Sequence, residues 1–367
     1  MTASYYRKFY WFGIWLLALI GCLCMIPVFS ATFNQRISIF HALPDLFKWI
    51  LIIAMLSYIP GWLILKAKHQ EHSQSELVLR WIALIAITIV LIDRLVLNLT
   101  SITLDTLELS KNPKGFLETM IYMAVHSSSI WLNGILGTLK ISSLGTVFGF
   151  LLAVLLLFLR ISEPDRRDGE FRQLLKLIGN TFSKVYVTVI RGTPMMVQAL
   201  IIYYAGFAIV QSVMVNASIT ERTQVWSFFT AGLITVSLNS AAYLSEVLRG
   251  GIVALDKGQN EACASLGFTK WQTLMKVTFP QAVRNSIPAI CNEFIINIKD
   301  TSVLNVIGVT ELMFATSSVT GIYYKYLEVY CITAIIYLIL TFTMTAVLNA
   351  LARKLDMPTS HGVPSSN

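Results

Sequence analysis

The chain is built from apolar runs of about 20 residues, the length a helix needs to cross a bilayer core of roughly 30 Å. The clearest runs are 9–30, 46–65, 77–92 (with Arg80 near its start), 134–159, 188–210, 226–244 and 327–351. An eighth, 291–313, is interrupted by Glu293, Lys299 and Asp300. This pattern predicts an all-α integral membrane protein with about eight transmembrane helices. Composition agrees: of 367 residues, 55% are hydrophobic and 13% charged, and mean hydropathy is +0.67. A chain of this kind cannot hide its apolar surface in a water-soluble core and needs membrane lipid around it.

A formal net charge of +8 suggests nucleic acid until its distribution is considered. With the N-terminus cytoplasmic, inside segments hold eighteen of the 28 Lys and Arg, densest in 160–184 and 249–284, and outside segments hold six. This asymmetry places both termini inside, and no nucleic acid is called for. Cys22, Cys24, Cys263, Cys291 and Cys331 fall in predicted spans or on the cytoplasmic side, where disulfides seldom persist, and are read as small apolar residues. The segment Leu19-Ile20-Gly21-Cys22 loosely resembles a lipoprotein processing site, but apolar residues continue through Phe29, which fits an uncleaved span.

The runs divide the chain into a block of three spans (1–100), an outside, periplasmic segment (101–130), a five-span core (131–351) and a cytoplasmic tail (352–367). The first block carries no motif of recognisable chemistry. The stretch 160–184, dense in both charge signs, is read as a solvated face. His69, Glu71 and His72 have no further ligands close in sequence, so no metal is expected. Neither a phosphate-binding loop nor His-Glu-x-x-His occurs, so the chain has no ATP site, cofactor or catalytic residue of its own.

Between the sixth and seventh spans, 246–286 is too polar to cross a membrane and too patterned to be disordered. It predicts two short helices. The first covers about 257–266 and ends at Gly267, suited to the left-handed position that closes a helix. The second is capped by Thr269 and runs into Pro280, which cannot extend a regular interior. Ala262, Cys263 and Leu266 are expected to form a small apolar face with Glu261 beside it, and Trp271, Leu274 and Met275 sit at i, i+3 and i+4. The result is a compact elbow.

Glu261-Ala262-Cys263, then Gly267, then Val277-Thr278-Phe279-Pro280 resembles the EAA loop of ATP-binding-cassette (ABC) importer permeases, departing mildly at Cys263, Val277 and Phe279. Further similarity lies in Tyr243-Leu244-Ser245-Glu246-Val247-Leu248-Arg249-Gly250-Gly251-Ile252, in Gly258-Gln259-Asn260-Glu261-Ala262, and in Pro280-Gln281-Ala282. Lys299-Asp300-Thr301-Ser302 and Arg191-Gly192-Thr193-Pro194 followed by Val197-Gln198 are also similar to the polar amino-acid branch of that family. The resemblance covers roughly 133–351.

It implies a type I importer permease core of five helices, preceded here by three more, in a bacterial inner membrane. It also implies partners: ABC ATPase subunits carrying ATP and Mg, a periplasmic or lipid-anchored amino-acid-binding protein, and a second permease subunit, identical or related. Gly258, Gln259, Glu261, Ala262, Cys263, Leu266, Gly267 and Pro280 are then the residues that dock with the ATPase. Import, as a direction, follows from the resemblance alone.

Charges inside an apolar run are costly, on the order of 2.5–3.5 kcal/mol at mid-bilayer, so Lys299 and Asp300 should face protein or water. Two readings stand side by side. In one, Asp300, Thr301 or Ser302 caps a new helical segment and Lys299 ends the previous one. In the other, Asn292, Glu293, Asn297, Lys299, Asp300, Thr301 and Ser302 belong to the substrate path. Arg191, Gly192, Thr193 and Pro194 are expected to form a span entrance, with Thr193 as cap and Pro194 as the first helical residue. Gln198, Asn239 and Tyr243 are further path candidates, or simply join neighbouring helices. Two other functions compete: a secondary amino-acid transporter driven by an ion gradient, relaying through Glu293, Lys299 and Asp300, and an intramembrane enzyme. The enzyme lacks a nucleophile–base or metal pair among its five histidines, of which only His126 lies near a core span.

Overall fold

The computed structural model describes residues 115–162, 164 and 168–354, with a few positions between 85 and 113. The runs 9–30 and 46–65, nearly all of 77–92, Cys22, Cys24, the His69–His72 group and the tail beyond 354 lie outside the described residues. The chain divides into two compact units between His126 and Ser127.

In the first unit, Ile92–Leu97 forms a turn of π-helix and α1 spans Phe116–His126. Tyr122 and His126 stack, one turn apart, with ring centroids 3.9 Å apart.

The second unit is helical throughout its described residues, with no strand. Its elements are α2 (Ser128–Ile161), α3 (Glu170–Gly192), α4 (Met195–Val213), α5 (Ile219–Val225), α6 (Phe228–Val253), α7 (Lys257–Ser265) and α8 (Lys270–Thr273). A π turn over Leu274–Thr278 then leads into α9 (Phe279–Asp300), a 3-10 helix (Thr301–Ile307), α10 (Leu312–Tyr323) and α11 (Tyr326–Lys354).

Among the described residues, four stretches are long and apolar enough to cross a membrane: Ser128–Ile161, Met195–Val213, Ile219–Val253 and Tyr326–Ala352. A fifth is a bent pair, Lys270–Ile307 with Leu312–Tyr323, meeting at 53°. These five correspond to the five core runs read from the sequence.

Small residues decide how the core packs. Lipid tails are as apolar as leucine, so helices in a membrane associate by close van der Waals approach rather than by escape from water. α2 and α6 form the most extensive pair. A Cβ on Gly145 would lie 2.4 Å from Cγ1 of Val236, and one on Gly149 would lie 2.6 Å from Cβ of Ser240. Around this seam two apolar clusters close: Ile141, Ala231, Val236, Leu304 and Val309 toward one end, Ala153, Leu157, Leu244 and Leu248 toward the other. Leu132, Leu136, Leu151 and Leu155 of α2 and Leu338, Ile339 and Phe342 of α11 remain exposed, the face a lipid-embedded chain turns outward.

Three expectations are corrected here. The charged stretch 160–184 is not simply a solvated face: it includes most of α3, which packs on two spans. Asn180 donates to the Arg160 carbonyl at 2.8 Å, Ser183 to the Leu156 carbonyl at 3.0 Å, and Tyr186 to the Leu238 carbonyl at 2.8 Å. Its other side carries an apolar stripe, Phe171, Leu174, Leu175, Ile178, Phe182, Val185 and Val189, whose helical period the interleaved charges hide.

The span entrance is also redrawn. Arg191 and Gly192 end α3, Thr193 follows it, and Pro194 precedes α4 in extended geometry rather than opening it. Thr193 does not cap α4, because its hydroxyl donates backward to the Val189 carbonyl at 2.9 Å.

Finally, Lys299 lies in the last turn of α9 and a new helical segment does begin at Thr301, with Asp300 at its cap position, but it is 3-10 winding and has no side-chain cap. This winding continues to Ile307. The break comes at Gly308, whose φ of +89° suits only glycine without strain.

Candidate functional site

The elbow is held by local chemistry at every joint. Asp256 caps α7 by accepting from the Gly258 N–H at 2.9 Å. Gly267 has φ +80°; its N–H reaches the Ala264 carbonyl and the Phe268 N–H reaches that of Cys263, both at 3.0 Å. These two bonds are the Schellman pattern that satisfies the last carbonyls of a helix. Thr269 and Gln272 then form a reciprocal capping box. The two arms are tied across the bend by Gln281 donating to Gln259 at 2.8 Å and Thr278 donating to Asn260 at 3.3 Å.

Pro280 does not end the second arm. The π turn at Leu274–Thr278 comes just before it, and Pro280 sits in the first turn of α9, where its missing N–H is tolerated. Helix α8, the π turn, α9 and the 3-10 helix therefore make one helical rod from the elbow into the core. The elbow rests on the end of α2, with the Phe158 ring 5.8 Å from Trp271 and 5.3 Å from Phe279. Beside it, Glu246 of α6 pairs with Arg160 of α2 and, at 2.9 Å, with Arg249.

The expected apolar face of the first arm is split. Cys263 turns inward and is buried, while Glu261, Ala262 and Leu266 face out. Leu266 is 77% exposed and Trp271 60%, with Phe268 and Met275 also exposed. The elbow thus presents an apolar knob fringed by Lys257, Glu261 and Lys276, far more apolar surface than a water-facing loop needs.

The path candidates divide by burial. Asn292, Lys299 and Asp300 are exposed on α9, and Tyr243 is exposed on α6 beneath the Arg191 guanidinium, 5.0 Å from the ring centre. Glu293 and Asn297 are buried. Asn297 donates to Thr146 of α2 at 2.9 Å and to Ser240 of α6 at 2.8 Å, and Glu293 lies beside Ser240. Gln198 donates to the Ile190 carbonyl and to both oxygens of Thr193 at 2.8–3.0 Å, closing the bend between α3 and α4, and accepts from Asn239 at 3.3 Å. Thr301 is buried and Ser302 half-buried. The structure thus brings Glu293, Asn297, Thr146 and Ser240 into one buried joint of three helices and leaves Asn292, Lys299, Asp300 and Tyr243 facing out.

Several residues escaped the sequence reading. Thr146 and Ser240 look like ordinary small residues in apolar runs. Glu246 and Arg160 lie 86 positions apart. Glu311 lies near the end of the run 291–313, in which only Glu293, Lys299 and Asp300 stand out as interruptions, yet it is fully buried and caps α10, accepting from the Met313 and Phe314 N–H groups at 2.8 Å. Gly308 followed closely by an acid before an apolar stretch was the available signal.

Among the described residues, no three His, Cys, Asp or Glu side chains are grouped to hold a metal ion. Residues 173–357 match the family described as the binding-protein-dependent transport system inner membrane component. The glutamine transport system permease protein GlnP of Escherichia coli is 33% identical over 236 residues, 63% of this chain and 97% of that one. The arginine transport system permease protein ArtQ of Bacillus subtilis is 34% identical over 229 residues, 61% and 91% of the respective chains. Among solved structures, an amino acid ABC transporter crystallised with histidines is 33% identical with a TM-score of 0.51, covering 63% of this chain and 96% of that chain.

Proposed function

We propose, from the premise that the chain belongs to the binding-protein-dependent transport system inner membrane component family, that it is the permease subunit of an ABC importer for polar amino acids. It sits as a multi-pass protein in a bacterial inner membrane, with both termini in the cytoplasm, and works by alternating access driven by partner ATPase subunits that bind ATP and Mg. The amino-acid class rests on relatives named for glutamine and arginine transport.

The observation that carries this reading is the elbow: an exposed apolar knob continuous with a rod that runs into the membrane core. Closure of ATPase subunits moves the spans only through an element that is rigid and gripped at one end. Leu266, Phe268, Trp271 and Met275 supply the grip, with Gly258, Gln259, Glu261 and Ala262 around them. Gly267 and Cys263 fix the bend, and the winding past Pro280 keeps the elbow continuous with the span. A charge placed in the apolar knob tests the grip: Leu266→Glu and Trp271→Glu complexes should lose co-purification of the ATPase and ATP-driven uptake together. Retention of both in the two variants would remove the elbow from the docking role.

Asn292, Lys299 and Asp300 are polar groups exposed at membrane depth, a placement supported only by a water-filled path or a second permease against α9. With Tyr243, and with Glu293 on the buried side of the same helix, they give a polar lining of both charge signs suited to the charged ends of an amino acid, and five core spans per chain are few to enclose it alone. Glu293→Ala and Asp300→Ala should weaken uptake in assembled complexes; unchanged affinity and rate in both would sink this assignment. An amino-acid-binding receptor on the outer side completes the system.

A further inference from the structure

One buried acidic side chain has no part in docking or in the path. Glu311 is 0% exposed at the break in the bent span, at the end of the core away from the elbow. Beyond its two backbone donors it accepts from the Tyr337 hydroxyl of α11 at 3.2 Å. The next N–H, of Leu312, donates to Thr138 of α2 at 3.0 Å. The turn between Gly308 and Glu311 is seated against α2 so closely that a Cβ on Gly137 would lie 2.1 Å from the Thr310 carbonyl oxygen. A few residues on, Thr316 and Thr333 bond across α10 and α11 at 2.8 Å.

Two facts separate this knot from an ordinary helix cap. Ser, Thr, Asn or Asp satisfies an N-terminus at less expense than a buried glutamate, so a third partner on another span indicates that fixing α11 to the break is part of its use. The knot also stands at the far end of the rod whose other end is the elbow, and Glu293, Asp300 and Ser302 lie on the rod between them. A rod pushed at one end and free at the other shifts bodily, whereas a rod pinned at the far end tilts.

We infer that Glu311, with Tyr337, is the pivot of the α9 rod, a positioning residue that converts elbow movement into tilting of the path-lining segment. This rests on the permease reading above. Where ATP-dependent uptake is absent in wild type, that reading fails; where wild type couples and the variants couple equally well, only the pivot fails.

The test uses the assembled complex in proteoliposomes and reads amino acid taken up per ATP hydrolysed. Glu311→Gln keeps volume but leaves at least one of the three donors facing an amide NH2. Tyr337→Phe removes one donor and leaves the cap of α10 intact, so it guards against a variant that fails to fold. Each is expected to lower the ratio about threefold to fifteenfold, the equivalent of one intramembrane hydrogen bond, while ATP hydrolysis continues. The double variant should be no worse than the worse single one, because both act on one contact. An unchanged ratio in either variant overturns the pivot. So does a fall in uptake and ATP hydrolysis in equal proportion, which marks a structural role alone.

Discussion

Replacing Gly267 separates backbone conformation from contact at the elbow. Nothing lies within 4 Å of where a Cβ would stand, so a side chain meets no clash within the chain. The residue has φ +80°, where L-residues with a side chain lose roughly 1–2 kcal/mol and β-branched ones more. A cost of 1–2 kcal/mol is a factor of roughly 5–30 in the population of correctly bent elbow. Gly267→Val should therefore reduce ATP-driven uptake by at least that factor. Asparagine adopts the left-handed conformation far more readily, so Gly267→Asn should retain most of the activity despite similar bulk. Uptake and ATPase co-purification, measured side by side for the two variants, check this. Equal loss in both would show that the partner excludes any side chain at 267, and the conformational account would fall.

Other outcomes follow from the packing. Gly149→Val pushes α2 from α6 at Ser240 and should destabilise the protein by about 1–3 kcal/mol in a detergent thermal-shift assay, whereas Gly321→Ala, with open space around it, should be neutral or better. Asn297→Leu loses bonds to Thr146 and Ser240 and should cost about 0.6–1.7 kcal/mol for each; a stability equal to wild type would mean that the joint is not structural. Glu246→Gln removes the charge shared by Arg160 and Arg249 and should lower the unfolding midpoint more in low salt than in high, which the same thermal assay reads.

The elbow was legible because its joints are local: Gly267 and Thr269 act on neighbours within five residues, and helix-end chemistry of that range is written in sequence. The four long apolar helices among the described residues were legible from run length alone, and the bent pair only as a run interrupted by charges. What escaped depends on distant partners or on competing signals. The continuation of the rod through Pro280 needs a π turn that no residue type announces. Thr193 reads as a forward cap, yet its hydroxyl donates backward to the Val189 carbonyl while accepting from Gln198 across the bend. Asn297 and Thr146 are 151 positions apart, so their joint could not be read from either segment. Glu311 was hidden because one acid does little to the average of a long apolar run, and only the left-handed Gly308 marks the end of the helix before it.

The central claim is that ATP hydrolysed by separate subunits drives amino-acid movement through this chain. Its most direct test is uptake of labelled glutamine and arginine into vesicles holding the chain with its ATPase and receptor, with ATP or the ATPase omitted in parallel. The account predicts uptake only when all components and ATP are present. Uptake driven by an ion gradient in vesicles that contain this chain alone would contradict it and establish a secondary transporter instead.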